Sequence, residues 1–338
     1  MAERIFYLIP ILRPGINARK IFKNVTRLNA EYFYKIIKGP NRPIGGIKTC
    51  YNHCELLNSL GYYARPLFDG VLKIDWFEIR VKALDINEVG YDLNDRDVVV
   101  CPEIIPYEGL KFKNAKKIML VLNWIGTTGE RPFLKYEDLS TSYEELGYEK
   151  IITNSEYTKK YLKEHNKGDA VVISGGIDHD KFIYKPEAKE ENRILFLPRK
   201  NHYDAKKIIN DVKKQFPHAK FDKADALTER EIIKAYQKAD IFLATGYPEG
   251  FPRPPLEAMA CGCAVVGFAG GGGEEYMEDG KTAMVARDGD TDTAARKLIN
   301  LLKDKNLKEK VRLAGNKKSK EYSMDRMKQD LRKFYESI

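Results

Sequence analysis

Two carboxylates eight residues apart, Glu249 and Glu257, stand in the most informative stretch of the chain, EGFPRPPLEAMACGCAVV over 249–266. A strand over Asp240–Thr245 delivers Glu249 beyond its carboxyl end. Pro254 or Pro255 then opens a helix, as suits a residue without an N–H in the first turn. Glu257 falls in the first or second turn, and Gly262 closes the helix. The helix start offers free N–H groups and a positive dipole, which suit a phosphate. One carboxylate is then placed to accept ribose hydroxyls while the other faces what lies beyond the phosphates. A second glycine run, Gly270 to Gly273 before Glu274, lets backbone approach an anion closely.

The elements that must hold these residues alternate between apolar strands and helical periodicity. Strands are expected at Arg4–Ile9, Tyr62–Phe68, Asp97–Cys101, Lys117–Asn123, Lys150–Thr153 and Ala170–Ile173, several of them continuous Val/Ile/Leu runs. Such runs between helices (Lys48–Leu60, Ser155–His165) predict a parallel sheet covered on both faces. Ser174-Gly175-Gly176-Ile177-Asp178 and a charged stretch, 185–192, break the pattern. The alternation restarts with a strand Arg193–Pro198, helices Asp204–Gln215 and Glu229–Gln237, and the strand Asp240–Thr245. A strand Cys263–Phe268, a helix near Glu274–Glu278, a strand Thr282–Val285 and a basic helical end from Asp290 complete it. The fold class is therefore α/β, two doubly wound domains in tandem. They divide as 1–178, a linker 179–192 and 193–319, with the ligand in the cleft between them.

Length and composition agree. The chain has 338 residues, 43% hydrophobic and 32% charged, an ordinary globular balance with material for two cores. No apolar run approaches the ~20 residues of a membrane helix, and the N-terminal run Ile5–Leu12 lacks a secretory cleavage site. Five scattered cysteines spell neither a disulfide framework nor a zinc site and fit a reducing cytoplasm. Residues 1–50 hold ten Lys/Arg against two Asp/Glu, and 301–338 hold twelve against six. Such basic ends either attract polyanions, anionic lipid among them, or form solvated faces. No groove-reading motif accompanies them, which argues against nucleic acid. No GxGxxG follows the first strand, which argues against a nicotinamide dehydrogenase. Asp288, Asp290 and Asp292 read either as a metal-binding group or as the cap of the following helix.

Glu249-x7-Glu257, with Leu-Glu-Ala-Met-Ala-Cys-Gly after it and Gly-Gly-Gly-Gly-Glu-Glu-Tyr downstream, resembles the family 4 retaining glycosyltransferases of the GT-B fold. Weaker echoes extend over most of the chain: Gly45-Gly46 before a helix, Thr153-Asn154-Ser155-Glu156-Tyr157-Thr158, Gly175-Gly176-Ile177-Asp178 and Leu197-Pro198-Arg199-Lys200. The resemblance implies two Rossmann-like domains facing a central cleft, the first for the acceptor and the second for the donor, with a last helix, about 320–338, crossing back to the first. It implies that Glu257 binds ribose, that Glu249 contacts the donor sugar, and that Arg199 and Lys200, with Lys206 as competitor, neutralise the diphosphate. Asn123 stands where many relatives carry an active-site His. Gly45, Gly46, Gly250, Phe251, Pro254, Leu256, Gly272 and Gly273 belong to the implied donor site. Pro252-Arg253 departs from the usual Gly-Leu, removing one N–H and adding a cation.

The implied reaction moves a sugar from a UDP-, GDP- or dTDP-linked donor to a glycan or lipid-linked acceptor with retention. Cations already in place stabilise the leaving phosphate, so neither a metal nor another cofactor is expected. A cytoplasmic enzyme, peripheral to an anionic membrane through its basic ends, fits that chemistry. The alternative is a GT-B protein that binds nucleotide sugars without transferring them, either epimerase-like or a degenerate scaffold.

Overall fold

The computed structural model describes residues 4–10, 45–69, 74–127 and 141–338. The first sheet is built from β1 (Arg4–Leu8), β2 (Tyr63–Phe68), β3 (Leu84–Asp85), β4 (Val98–Pro102), β5 (Lys116–Val121), β6 (Lys150–Thr153) and β7 (Val171–Val172). Its order is β3-β2-β1-β4-β5-β6-β7, parallel throughout. Described helices on this half are α1 (Gly45–Ser59), two single turns α2 (Ile86–Val89) and α3 (Pro106–Gly109), and α4 (Glu156–Glu164). All five residues of the central strand β4 are buried, as a strand covered on both faces requires.

The second sheet contains β8 (Glu190–Phe196), β9 (Lys220–Lys223), β10 (Ala239–Ala244), β11 (Ala264–Phe268) and β12 (Met284–Ala286). It is also parallel, in the order β12-β11-β10-β8-β9, with β10 buried along its whole length at the centre. Its helices are α5 (His202–Gln215), α6 (Glu229–Lys238), α7 (Arg253–Ala260), α8 (Thr291–Lys303) and α9 (Lys305–Ser319). A last helix, α10 (Met324–Glu336), leaves this half and packs Met327, Leu331, Phe334 and Tyr335 against Ile5, Tyr7 and Leu57 of the first. There Tyr335 Oη lies 3.0 Å from Tyr7 Oη, which is 3.1 Å from His53 Nδ1.

The outward and returning crossovers meet. Ile177 N donates to Tyr322 O at 2.9 Å, and Ile177 pairs with Ser323 as a parallel bridge. The hinge between the sheets is thus a two-stranded crossing.

The structure corrects three expectations. The second sheet begins at Glu190, inside the stretch 179–192 read as linker. Its charges are absorbed where the strand starts, with Arg193 on both Glu190 and Asp222. The helix near Glu274–Glu278 is a single 3-10 turn, Gly272–Glu275. Four glycines precede or enter it, and Gly270 and Gly271 hold φ of +67° and +93°, outside helical geometry. Strand β9, whose sequence is KFDK, was not foreseen: an edge strand carries charges and no apolar run. Of the basic N-terminal segment, 11–44 lie outside the described residues.

A buried ion cluster fixes α9 to the second sheet. Asp240, 3% exposed at the start of β10, accepts from Lys308 Nζ at 2.6 Å, from Arg312 Nη2 and from Asn192 N at 2.9 Å. Replacing Asp240 with Ala leaves the buried Lys308 without its carboxylate and Arg312 with Glu309 alone, a loss of about 3–5 kcal/mol. Denaturant unfolding of Asp240→Ala measures it, and a change below about 1 kcal/mol contradicts the assignment.

Candidate active site

Strand β10 ends at Ala244, and the chain turns through Thr245–Pro252 before α7 begins at Arg253. Two side chains pin this turn. Asn201 Nδ2 donates to Thr245 O at 3.0 Å and Tyr247 O at 2.8 Å, and Tyr247 Oη donates to Asp204 at 2.7 Å. The turn is also laced to the glycine run after β11. Glu249 N donates to Gly270 O at 2.7 Å and Gly272 N to Glu249 O at 3.2 Å. A Cβ on Gly272 would stand 1.6 Å from Gly250 O, and one on Gly273 2.9 Å from Pro252 Cγ. Asp288 accepts from Gly270 N at 3.1 Å, and burial raises its pKa.

Glu249, projecting from this double loop, meets Lys200 at 2.7 Å, and Lys200 also donates to Pro248 O at 3.0 Å. Arg199 and Lys200 line a small cavity, about 50 Å³, with Thr245, Gly246, Glu249 and Pro254. Thr245 is 2% exposed, and its Oγ1 has no hydrogen-bond partner there. A buried hydroxyl of that kind is costly unless something else occupies it. The space is small, on the order of one or two waters. Lys206, the competing cation, is exposed along α5.

Glu257 sits in the second turn of α7. Its carboxylate receives Arg253 Nε at 3.4 Å and Tyr236 Oη at 3.5 Å. Both contacts are long, so its capacity to accept stronger hydrogen bonds is unspent. The helix start itself differs from expectation: α7 opens at Arg253, and Pro254 and Pro255 deprive its first four positions of two N–H donors. The helix end therefore offers fewer N–H groups than expected, while the cations Arg199 and Lys200 stand on the adjoining loop.

The first sheet meets this loop edge-on. A Cβ on Gly250 would lie 2.2 Å from Leu122 O and 3.1 Å from Asn123 Cα. Asn123 Oδ1 accepts from Ile125 N at 3.2 Å, opening a 3-10 turn over Trp124–Thr127, and the Glu103 carboxylate holds the amides of Leu122 and Asn123. Gly46 packs on Leu122, while Gly45 opens α1 with no described atom within 4 Å of where its Cβ would lie. Two side chains do not reach the cleft. Phe251 is buried between Tyr276 and Tyr322, and Leu256 is wholly buried in the second core, so both pack, and only their backbones are available to a ligand. The acidic trio is dispersed: Asp288 holds Gly270, Asp290 caps α8 through Thr293 N, and Asp292 pairs with Lys207.

Sequence reasoning missed the residues that join the two halves. Lys48 of α1 pairs with Glu229 of α6, which Lys181 also approaches at 3.6 Å, and Glu229 N donates to Trp76 O at 2.7 Å. Burial, then the Arg253 charge, lowers the Lys48 pKa; burial would raise that of Glu229, but Lys48 holds it down. Glu275 caps α4 from across the seam, accepting from Glu156 N at 2.6 Å and Tyr157 N at 3.3 Å. No spacing signals such pairs, because their members lie on different sheets. The larger opening, about 590 Å³, lies along this seam between Trp76 and Arg230, and none of the expected site residues lines it.

Residues 171–318 match the family model of glycosyl transferases group 1. An alpha-1,6-glucosyltransferase of Actinobacillus pleuropneumoniae is 27% identical over 237 residues, 68% of this chain and 71% of that protein. The Anabaena protein HepE, solved in complex with UDP-glucose, superposes with a TM-score of 0.67 at 13% identity, covering 99% of this chain and 100% of that one. The pneumococcal O-GlcNAc transferase GtfA, solved with UDP and GlcNAc, gives 0.58 at 18% identity over 72% of this chain. The match spans 57% of GtfA's length. Together with the two parallel sheets, these likenesses establish the GT-B fold.

The Gly250 contact yields a direct test. In Gly250→Ala the new methyl group meets the Leu122 carbonyl and pushes the sheets apart, costing about 1–3 kcal/mol as overpacking does. Small-angle scattering should show a more open molecule with a lower unfolding midpoint; an unchanged profile and midpoint would refute the contact.

Proposed function

We propose that the chain is a retaining glycosyltransferase of the family 4 kind, moving a sugar from a nucleoside-diphosphate donor to a saccharide or lipid-linked acceptor. The observation that carries the reading is the convergence of Lys200, Arg199 and the unpartnered Thr245 hydroxyl with Glu249 on one small cavity after the central strand. In this reading Glu257 accepts the ribose hydroxyls with the capacity its long present contacts leave unspent. Lys200 leaves Glu249 for the diphosphate, and Glu249 is released toward the sugar. Asn123 and Gly250 close the far side of the cleft, beside Gly46, which packs on Leu122 at the start of α1.

Chemically, the bond from the sugar's anomeric carbon to the β-phosphate oxygen breaks while negative charge grows on the phosphate. Arg199, and Lys200 once it has turned from Glu249, stabilise that charge, each such donor being worth about 2.7–4 kcal/mol of the barrier. Two cations serve the purpose a divalent ion would serve, so the proposed transfer runs without metal. The UDP in the solved HepE and GtfA complexes makes UDP the first donor base to test.

Thermal unfolding against UDP, GDP, dTDP, ADP and CMP, with and without chelator, tests the reading. A true donor nucleotide at ~100 times its dissociation constant adds about 2.7 kcal/mol, a rise of a few degrees. The rise should survive chelation, weaken in Glu257→Ala and persist in Glu249→Ala, whose turnover falls instead. If none of the five nucleotides moves the midpoint, the donor-site assignment is wrong.

The proposal includes an anionic membrane as the place of work. Lys310 and Lys317 of α9, Lys320 just beyond it, and Arg326 and Lys333 of α10 are exposed, and α10 lies on the first half of the chain. No described helix is long and apolar enough to cross a membrane. Co-sedimentation should rise with the anionic lipid fraction and fall with salt; equal recovery on neutral vesicles would remove the membrane from the proposal.

A further inference from the structure

Arg253 occupies a place that local physical chemistry disfavours. It is the first residue of α7, where a cation opposes the positive end of the helix. Its guanidinium is mostly buried, and Nη1 has no partner. What the position provides is a pair of contacts in two directions. Nε reaches the Glu257 carboxylate at 3.4 Å, and Nη2 donates to Gly176 O at 3.2 Å.

Gly176 belongs to the outgoing crossover. Next to it, Ile177 pairs with Ser323 of the returning one, and Gly176 N approaches Met327 Sδ of α10 at 3.3 Å. A Cβ on Gly175 would lie 3.3 Å from the Phe251 ring and 3.8 Å from Arg253 Nη1, so the crossover packs directly on the α7 entry. The guanidinium charge also reaches α1: with burial it lowers the pKa of His53, to about 3, and that of Lys48. One side chain thus touches the nucleotide-side carboxylate and the hinge, and acts electrically on the first half of the chain.

We propose that Arg253 is a positioning residue that couples Glu257 to the crossover, so that filling the nucleotide site and setting the angle between the halves are one event. The inference rests on Glu257 as a nucleotide contact, the reading given above. With ribose hydroxyls on Glu257, the carboxylate and Arg253 are drawn together, and the guanidinium carries that displacement to Gly176. Without Arg253, Glu257 keeps its chemistry but loses its orientation and its link to the hinge.

Calorimetric titration with UDP, GDP and dTDP of the full chain, R253Q, R253K, E257Q and R253Q/E257Q tests this, alongside small-angle scattering with and without nucleotide. R253Q should bind about tenfold more weakly, the loss of one charge-assisted hydrogen bond, while R253K recovers part of the affinity. The double variant should be no weaker than E257Q, because the two residues act as one unit. The nucleotide-induced compaction of the unaltered chain should vanish in R253Q and return in part in R253K. A donor KM that rises with little change in kcat completes the pattern. R253Q that binds and compacts like the unaltered chain overturns the coupling, as does a double variant whose losses add. If R253Q fails to fold, R253K decides: affinity and compaction both equal to the unaltered chain overturn the proposal. Failure of the unaltered chain to bind any of the three nucleotides overturns the site reading and this inference with it.

Discussion

The site depends on backbone packed directly against backbone, with no side chain between. The turn after β10 lies on the glycine run after β11, joined by hydrogen bonds at Glu249, Gly270 and Gly272, and the outer face of Gly250 lies on the Leu122 carbonyl of the other sheet. Three layers of main chain are stacked where any side chain would force them apart. That stacking sets where Glu249 projects and how near the first sheet comes. It also explains why glycine gathers at these positions, several of which hold ordinary φ values.

Around that stack the two halves are held by contacts of a different kind. The crossovers pair as a short bridge, α10 returns to cover the first core, and Glu275 caps a helix of the opposite half. Lys48, Lys181 and Glu229 form a partly buried polar seam in place of an apolar one. Apolar burial between the halves would favour one fixed arrangement. Hydrogen bonds and ion pairs can be exchanged for others at little net cost, so this seam tolerates more than one arrangement of the halves.

The proline-rich start of α7 shifts the burden of anion recognition. A helix opening with four N–H groups would serve a phosphate through its backbone, but Pro254 and Pro255 take two of them away. Cationic side chains at 199 and 200 stand on the adjoining loop, with the Thr245 hydroxyl beneath. In the proposed donor site, charge on flexible stems takes the place of part of a fixed dipole.

The sequence alone determined the α/β class, the two-sheet architecture and the stretch from 249 to 273 that forms the double loop. These follow from local signals: continuous apolar runs for covered strands, and proline and glycine where backbone freedom or close approach is needed. It did not reveal the edge strand Lys220–Lys223, whose charges obey solvent more than sheet, or the start of β8 at Glu190, where charges hide a strand. It set Phe251 and Leu256 beside the ligand, yet their side chains are core. Only the tertiary structure brought Lys48 to Glu229, Glu275 to α4, Gly250 to Leu122 and Arg253 to both Glu257 and Gly176. Most of these join residues more than 70 positions apart, and the angle between two sheets, which no periodicity encodes, decides which of them meet.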